Sequence, residues 1–384
     1  MNIKRVKAAV IGCGMISDKY FENITKRFHI LDIVGCSDLV HDKAAAAAEK
    51  YGIKHMTNEE ILAEPSIELV LNLTYASAHY EVSRAILSAG KHCYTEKMMA
   101  LTLEEAAELG RISRENGVYF ACAPDTFLGA SQQTARYIID RGLIGEPLAA
   151  TVNLARGYHM VKTGDEDARR KFSVMYPGGG IPFDMGGYYL HELFNIAGPV
   201  ESLSGYSYTR QAHRQYLNPR HELFGDDFFV DTPNTVSACI KFRSGLLCNL
   251  SISSEYHYTA QEFTIYGTEG VLYLGDPNNF GDKIYISRKG DSGERYEFPL
   301  SHPFSRENRG IGAADMAWAI RTGRKPRLSY EMGYHALEVI LGIAESDRLG
   351  RRIDFTTMLE RPVPISSEFY GGTTEEYSLY RYDQ

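Results

Sequence analysis

The segment VKAAVIGCGMIS, residues 6–17, constrains this chain more than any other. A near-continuous apolar run is the mark of a strand buried on both faces, which belongs in a parallel sheet covered by helices. Gly12 and Gly14 then open a tight turn into a helix, where backbone N–H groups can close around a pyrophosphate. Met15 and Ile16 complete the turn, and Ser17 stands where a third glycine is usual. About 20 residues on, Asp38 ends a second strand, LDIVGCSD (31–38), where a carboxylate can accept both hydroxyls of a ribose. Such a carboxylate repels the 2′-phosphate of NADP, so the expected cofactor is NAD, with NADP less suited.

The alternation continues to about residue 122. LVLNLT (69–74), HCYTEK (92–97) and VYFACAP (118–124) read as strands, with helical patterns between them. Residues 1–124 are therefore expected to form a Rossmann-type, doubly wound parallel sheet that binds NAD. After Pro124 the texture changes. LAATVNLARGY, VSACIKF, LLCNLSISS, EFTIYG and VLYLG alternate apolar and polar positions, with FRSGL and GTEGV as hairpin turns. Helices at about 312–322 and 330–348 follow. Residues 125–384 are expected to form an α+β domain for substrate binding and oligomerisation, built on a large, mostly antiparallel, open-faced sheet. The overall class is α/β, and 384 residues with 44% apolar side chains can fill two cores.

The balance of 41 basic against 49 acidic side chains, with no basic cluster, argues against a nucleic-acid partner. Six cysteines without a Cys-x-x-Cys pair suit reduced thiols in the cytoplasm, and neither H-x-H nor H-E-x-x-H occurs. No metal is expected. The first apolar run is too short for a secretory leader, and no stretch is long enough to cross a bilayer, so no membrane partner is expected.

A second cluster is GGGIPFDMGGYYLHEL, residues 178–193. On a helix, Asp184, Tyr188 and His191 project from one face. With this stretch, IGCGMIS, LTYASAH (73–79), AGKHCYTEKM (89–98), FTIYGTEGVLYL (263–274) and SYEMGYHALEVILGIAESDRLG (329–350), the chain resembles the glucose–fructose oxidoreductase/inositol dehydrogenase/rhizopine-catabolism (Gfo/Idh/MocA) family over nearly its whole length. The resemblance implies an NAD(P)-dependent oxidoreductase of sugars, cyclitols and related compounds. It puts Lys97, preceded by Glu96, beside the nicotinamide and the reacting carbon, with Thr74 and His79 lining the cofactor. The family's Asp-x-Gly-x-His maps onto Asp184, Gly186 and Tyr188, so a tyrosine stands at the usual histidine position. Met98 replaces a proline that stiffens the lysine turn, which suggests a looser turn, and Tyr75-Ala76 replaces a common Pro-Asn.

A free tyrosine ionises near pH 10, and a neighbouring ammonium favours the phenolate. Lys97 is expected to lower the pKa of Tyr188 and to bond the substrate hydroxyl, while Tyr188 exchanges the proton. His191 is the competing carrier. Asp184 would grip an adjacent hydroxyl or orient Lys97, and Arg156, Tyr158 and His159 would contact substrate. The charged segment 162–177 reads as a lid. The expected activity is hydride exchange between NAD and a secondary hydroxyl of a sugar, glycoside or cyclitol, including oxidation of a glycoside ring hydroxyl to the ketone. Glycoside hydrolysis through transient oxidation and a non-catalytic NAD sensor are the alternatives. The open face of the second sheet points to a homo-oligomer: a dimer, a tetramer or larger.

Overall fold

The computed structural model describes residues 3–156, 179–215, 219, 224–230, 232–256 and 258–365. Its first third alternates strand and helix: β1 (Val6–Ile11), α1 (Ser17–Lys26), β2 (Leu31–Ser37), α2 (His41–Tyr51), β3 (Lys54–His55), α3 (Asn58–Ala63), β4 (Leu69–Asn72), α4 (Ala76–Ser88), β5 (His92–Thr95), α5 (Leu103–Glu115) and β6 (Phe120–Cys122). The six strands pair in the order β3-β2-β1-β4-β5-β6, all parallel. Every residue of β4 and β6 is buried, as the unbroken apolar runs require. The short β3 and α3 were not anticipated. Thr57 nucleates α3 through a reciprocal capping box with Glu60.

The chain then runs through α6 (Ala130–Asp140) and β7 (Pro147–Ala155) to α7 (Ile181–Ala197), β8 (Val200–Tyr208), β9 (His213–Gln215), β10 (Asp227–Phe229), β11 (Thr235–Phe242), β12 (Leu247–Ser253), β13 (Ala260–Gly267), β14 (Gly270–Leu274), β15 (Ile284–Arg288) and β16 (Tyr296–Phe298). Two late helices, α8 (Ile311–Thr322) and α9 (Tyr330–Leu349), precede β17 (Ile353–Asp354). Nine strands form one sheet, β16-β15-β14-β13-β7-β12-β11-β8-β17, in which only β7 and β12 run parallel. One face is apolar: Ala150, Val152, Leu250, Ile252, Phe263 and Ile265 are all buried. The opposite face carries Ser237, Cys239, Lys241, Leu247 and Asn249 to the surface.

Helix α7 is buried almost all round and lies between the inner face of this sheet and α9. Tyr189 packs on Phe263 with ring centroids 5.6 Å apart. Gly187 faces the first half of the chain, where an added Cβ would come within 3.4 Å of Pro124 Cδ and 3.9 Å of Met98 Sδ. That approach brings the helix against the turn leaving β5. The late helices return to the first sheet: Arg321 of α8 donates to the carbonyls of Lys4 and Arg5 and forks onto Glu68. No helix among the described residues is long and apolar enough to cross a membrane.

Candidate active site

A cleft of about 730 Å³ opens where the parallel strands end, and α7 forms its far wall. The glycine turn is at its near end. Gly12 sits at φ +103°, and a Cβ there would fall 2.6 Å from the Leu73 carbonyl, so only glycine fits. Gly14 has nothing within 4 Å of an added Cβ, which leaves its outer side open to the cleft. Helix α1 starts after Ile16 without any side-chain cap, while the Ser17 hydroxyl donates back to the Gly14 carbonyl at 2.6 Å. Asp38 accepts one N–H on each oxygen, from Cys13 (2.7 Å) and Val40 (2.8 Å). Each oxygen therefore keeps a lone pair for a ribose hydroxyl. Met15, Leu39 and Val40 line the same end with exposed apolar side chains. An uncapped helix start, an open glycine, a ribose-facing carboxylate and an apolar shelf together fit a dinucleotide.

Thr74 and His79 line the middle of the cleft. The His79 ring bridges two carbonyls, Nδ1 to Met98 at 2.7 Å and Nε2 to Thr74 at 2.9 Å. Burial pulls its pKa down against those two carbonyls. This bridge, with Met98 itself 2% exposed, anchors the lysine turn by packing where a proline ring was expected. Glu96 accepts from the Tyr20 hydroxyl at 2.6 Å and from the Lys97 N–H at 3.2 Å.

Lys97 then points across the cleft. Its Nζ donates to Asp184 Oδ1 at 3.0 Å and lies 5.3 Å from the centre of the Tyr188 ring. Asp184 sits in the first turn of α7, one turn past the cap residue Gly180, and its Oδ1 accepts from Lys97. Burial works against the Lys97 charge, yet Tyr188, Asp184 and Glu96 together hold its pKa above the usual lysine value. It is an ammonium at any working pH.

Tyr188 corrects one expectation. Lys97 does pull its pKa down, and so does Arg309, but burial outweighs both and the net shift is upward. Tyr188 is a phenol near neutrality, a proton donor before it is a base. His191 is also placed differently from expectation. It is 1% exposed, lies outside the cleft lining, and its Nδ1 bonds the Pro124 carbonyl at 2.9 Å. Burial lowers its pKa to about 4, so it is a neutral ring that joins α7 to the end of β6.

Arg156 reaches the cleft from the end of β7 and bonds Asp276 at 3.3 Å. Tyr158, His159, Gly178 and the charged segment 162–177 lie outside the described residues. Among the cleft residues that escaped the sequence reading are Asn278 and Arg309, from loops about ninety and about 120 residues beyond Tyr188. No motif marks either one. Their only signal is polarity between two elements that turn out to border the cleft.

Two family models cover this architecture. Residues 6–123 match one described as oxidoreductase family, NAD-binding Rossmann fold, and residues 132–273 match the GFO/IDH/MocA C-terminal domain. Residues 6–123 thus form an NAD-binding domain. An inositol 2-dehydrogenase/D-chiro-inositol 3-dehydrogenase of Lactiplantibacillus plantarum is 28% identical over 174 residues, which is 43% of this chain. That match spans 47%, about half, of the relative's own length. A scyllo-inositol 2-dehydrogenase (NAD(+)) of Bacillus subtilis is 26% identical over 296 residues, 75% of this chain and 79% of that protein. Levoglucosan dehydrogenase, solved in complex with NADH and levoglucosan, superposes with a TM-score of 0.78 at 19% identity, over 92% of this chain and 100% of that one. The last likeness establishes the shared fold.

Proposed function

This chain belongs to the Gfo/Idh/MocA family of oxidoreductases, and on that premise we propose that it interconverts a secondary hydroxyl and a ketone on a neutral sugar, glycoside or cyclitol, with NAD as its cofactor. Residues 1–124 serve the dinucleotide, and residues 125–384 serve the substrate and self-association. When bound, the nicotinamide would give or take the hydride at the carbinol carbon. Gly14, the start of α1, Asp38, Thr74 and the Glu96–Lys97 turn would hold the dinucleotide. NAD is favoured over NADP because Asp38 stands at the ribose end of the cleft.

The observation that carries this reading is the 3.0 Å contact of Lys97 with Asp184, made beside Tyr188 in the cleft that also holds the glycine turn. In the reducing direction, the Lys97 ammonium polarises the ketone oxygen and Tyr188 gives it a proton. In the oxidising direction the same oxygen returns the proton to a Tyr188 phenolate, which the ammonium stabilises. Asp184 fixes the Lys97 ammonium and accepts from a neighbouring substrate hydroxyl. Arg156, with Tyr158 and His159 beyond the described residues, would contact further hydroxyls. The inositol dehydrogenases and the levoglucosan dehydrogenase named above support a substrate of this class.

The test is a panel of sugars, anhydrosugars, glycosides and inositols with NAD and with NADP, and of the corresponding ketones with NADH. Substrate-dependent change in reduced nicotinamide, faster with NAD, is expected. Sugar release without net NADH would transfer the assignment to glycoside hydrolysis. NAD binding with no chemistry on any member would favour a sensor. Self-association is proposed through the outer face of the nine-stranded sheet, where Tyr206 is 69% exposed and Leu247 48%.

A further inference from the structure

Tyr20 lies one turn into α1, the helix whose uncapped start faces the dinucleotide end of the cleft, and it is 1% exposed. Side chains of a helix lean toward its N-terminus, which directs the Tyr20 ring back over that first turn. Its hydroxyl meets the residue that leaves β5, donating to Glu96 Oε1 at 2.6 Å, the short length of a phenol bonded to a carboxylate. The second oxygen of Glu96 accepts from the Lys97 N–H at 3.2 Å. With the Tyr20 proton spent on Glu96, the Tyr94 hydroxyl, 3.4 Å away, is left to donate to the Tyr20 oxygen. The Tyr20 and Tyr94 rings meet edge to face with centroids 6.0 Å apart. The Glu96 backbone is fixed as well, its N–H on the Asn72 carbonyl at 2.9 Å.

Glu96 and Lys97 are chain neighbours that both line the cleft. Their opposite charges attract, yet among the described residues Lys97 Nζ hydrogen-bonds Asp184 Oδ1 across the cleft and not Glu96. We propose that Tyr20 is a positioning residue for Lys97: by holding the Glu96 carboxylate at the base of the turn, it leaves the ammonium to Asp184 and to the oxygen that reacts. This rests on Lys97 polarising that oxygen. Without the hydroxyl, Glu96 Oε1 loses its donor in a partly buried place, where a carboxylate left short of hydrogen bonds draws in a neighbouring cation. An ammonium turned toward Glu96 is withdrawn from the ketone. Tyr20 is not part of the cleft lining and acts through Glu96. It keeps its proton throughout, since burial and the Glu96 charge hold its phenol well above the usual ionisation range.

The test compares the parent with Tyr20→Phe, Glu96→Gln and the double variant. Phenylalanine keeps the ring and its packing on Tyr94 and removes only the hydroxyl. Glutamine keeps an acceptor for that hydroxyl and removes the charge. Single-turnover NADH consumption on the best ketone of the panel reads the chemical step, and NADH affinity by nicotinamide fluorescence reports an intact fold. Tyr20→Met takes the place of a phenylalanine variant that no longer binds NADH. Tyr20→Phe should slow the chemical step by about 10-fold while NADH affinity stays within about threefold. In the Glu96→Gln background the same substitution should cost at most about twofold, because an amide does not capture the ammonium. A hydroxyl with a merely structural role would slow both backgrounds by the same factor. That result, or a Tyr20→Phe step slowed by less than about threefold, overturns the role of Tyr20. Lys97→Met, run alongside, separates the two claims. If it too leaves the step intact, or if no panel member turns over, the reading of Lys97 fails and takes this proposal with it.

Discussion

Replacing Lys97 by methionine keeps most of the length and apolar bulk of the side chain and deletes the ammonium with its charge and donors. In the parent that charge is 3.0 Å from Asp184 Oδ1 and 5.3 Å from the centre of the Tyr188 ring. Two unit charges at that second distance, with an effective dielectric of about 20, interact by about 3 kcal/mol. Losing that attraction would push the pKa of Tyr188 further up and weaken the stabilised phenolate about 200-fold. The ketone oxygen also loses its polarising partner, so the chemical step should slow by about 10²- to 10³-fold or more. Asp184 is one-third exposed and can be hydrated when its partner goes, so the fold should survive. The assay is single-turnover NADH consumption on the best ketone of the panel, with NADH affinity measured separately by fluorescence. Affinity should remain within about threefold of the parent while the chemical step collapses. A chemical step that also stays within about threefold would refute the reasoning.

Further predictions concern protons, the cofactor and assembly. Because burial holds the Tyr188 pKa above the ordinary phenol value, ketone reduction should stay level through neutrality, and alcohol oxidation should keep rising with pH past about 9. An oxidation limb that plateaus near pH 7, tested by pH profiles of kcat/KM, would point to another group. His191 titrates at about 4 folded against about 6.5 unfolded, so the unfolded chain binds the extra proton between those values and stability falls as pH drops through that window. The change is about 3 kcal/mol at most, part of it offset by Asp125, whose pKa burial raises to about 6; urea unfolding of His191→Gln should show a shallower acid loss. Asp38→Ser should weaken NAD binding by ~10-fold and narrow or reverse the preference over NADP, read by titration of both reduced cofactors. Tyr206→Asp on the outer sheet face should lower the oligomeric state, measured by light scattering, while leaving the monomer's melting profile unchanged.

Most of the fold was legible because its signals are local. The apolar runs at β1, β2 and β4 and the turn through Gly12 and Gly14 describe a parallel dinucleotide fold without reference to anything distant. Lys97 and Asp184 were legible for another reason, the ordered set of motifs that carries the family resemblance. The sign of the Tyr188 shift was not, because burial is a property of the whole assembly and the sequence offers only the neighbouring charge. His191 shares the spacing of Asp184 and Tyr188 but turns toward Pro124, a direction set by how α7 meets the end of β6. Arg309 lies far along the chain from Tyr188 and reaches the same cleft on a loop anchored to Asn23, Arg27 and Asp125.

The most direct measurement is a crystal structure of the protein with NADH and a slow or inert analogue of the best panel substrate. The account predicts the reacting oxygen within hydrogen-bonding distance of both Lys97 Nζ and the Tyr188 hydroxyl, its carbon facing the nicotinamide. An analogue seated elsewhere in the cleft, with that oxygen bonded to neither side chain, would contradict it.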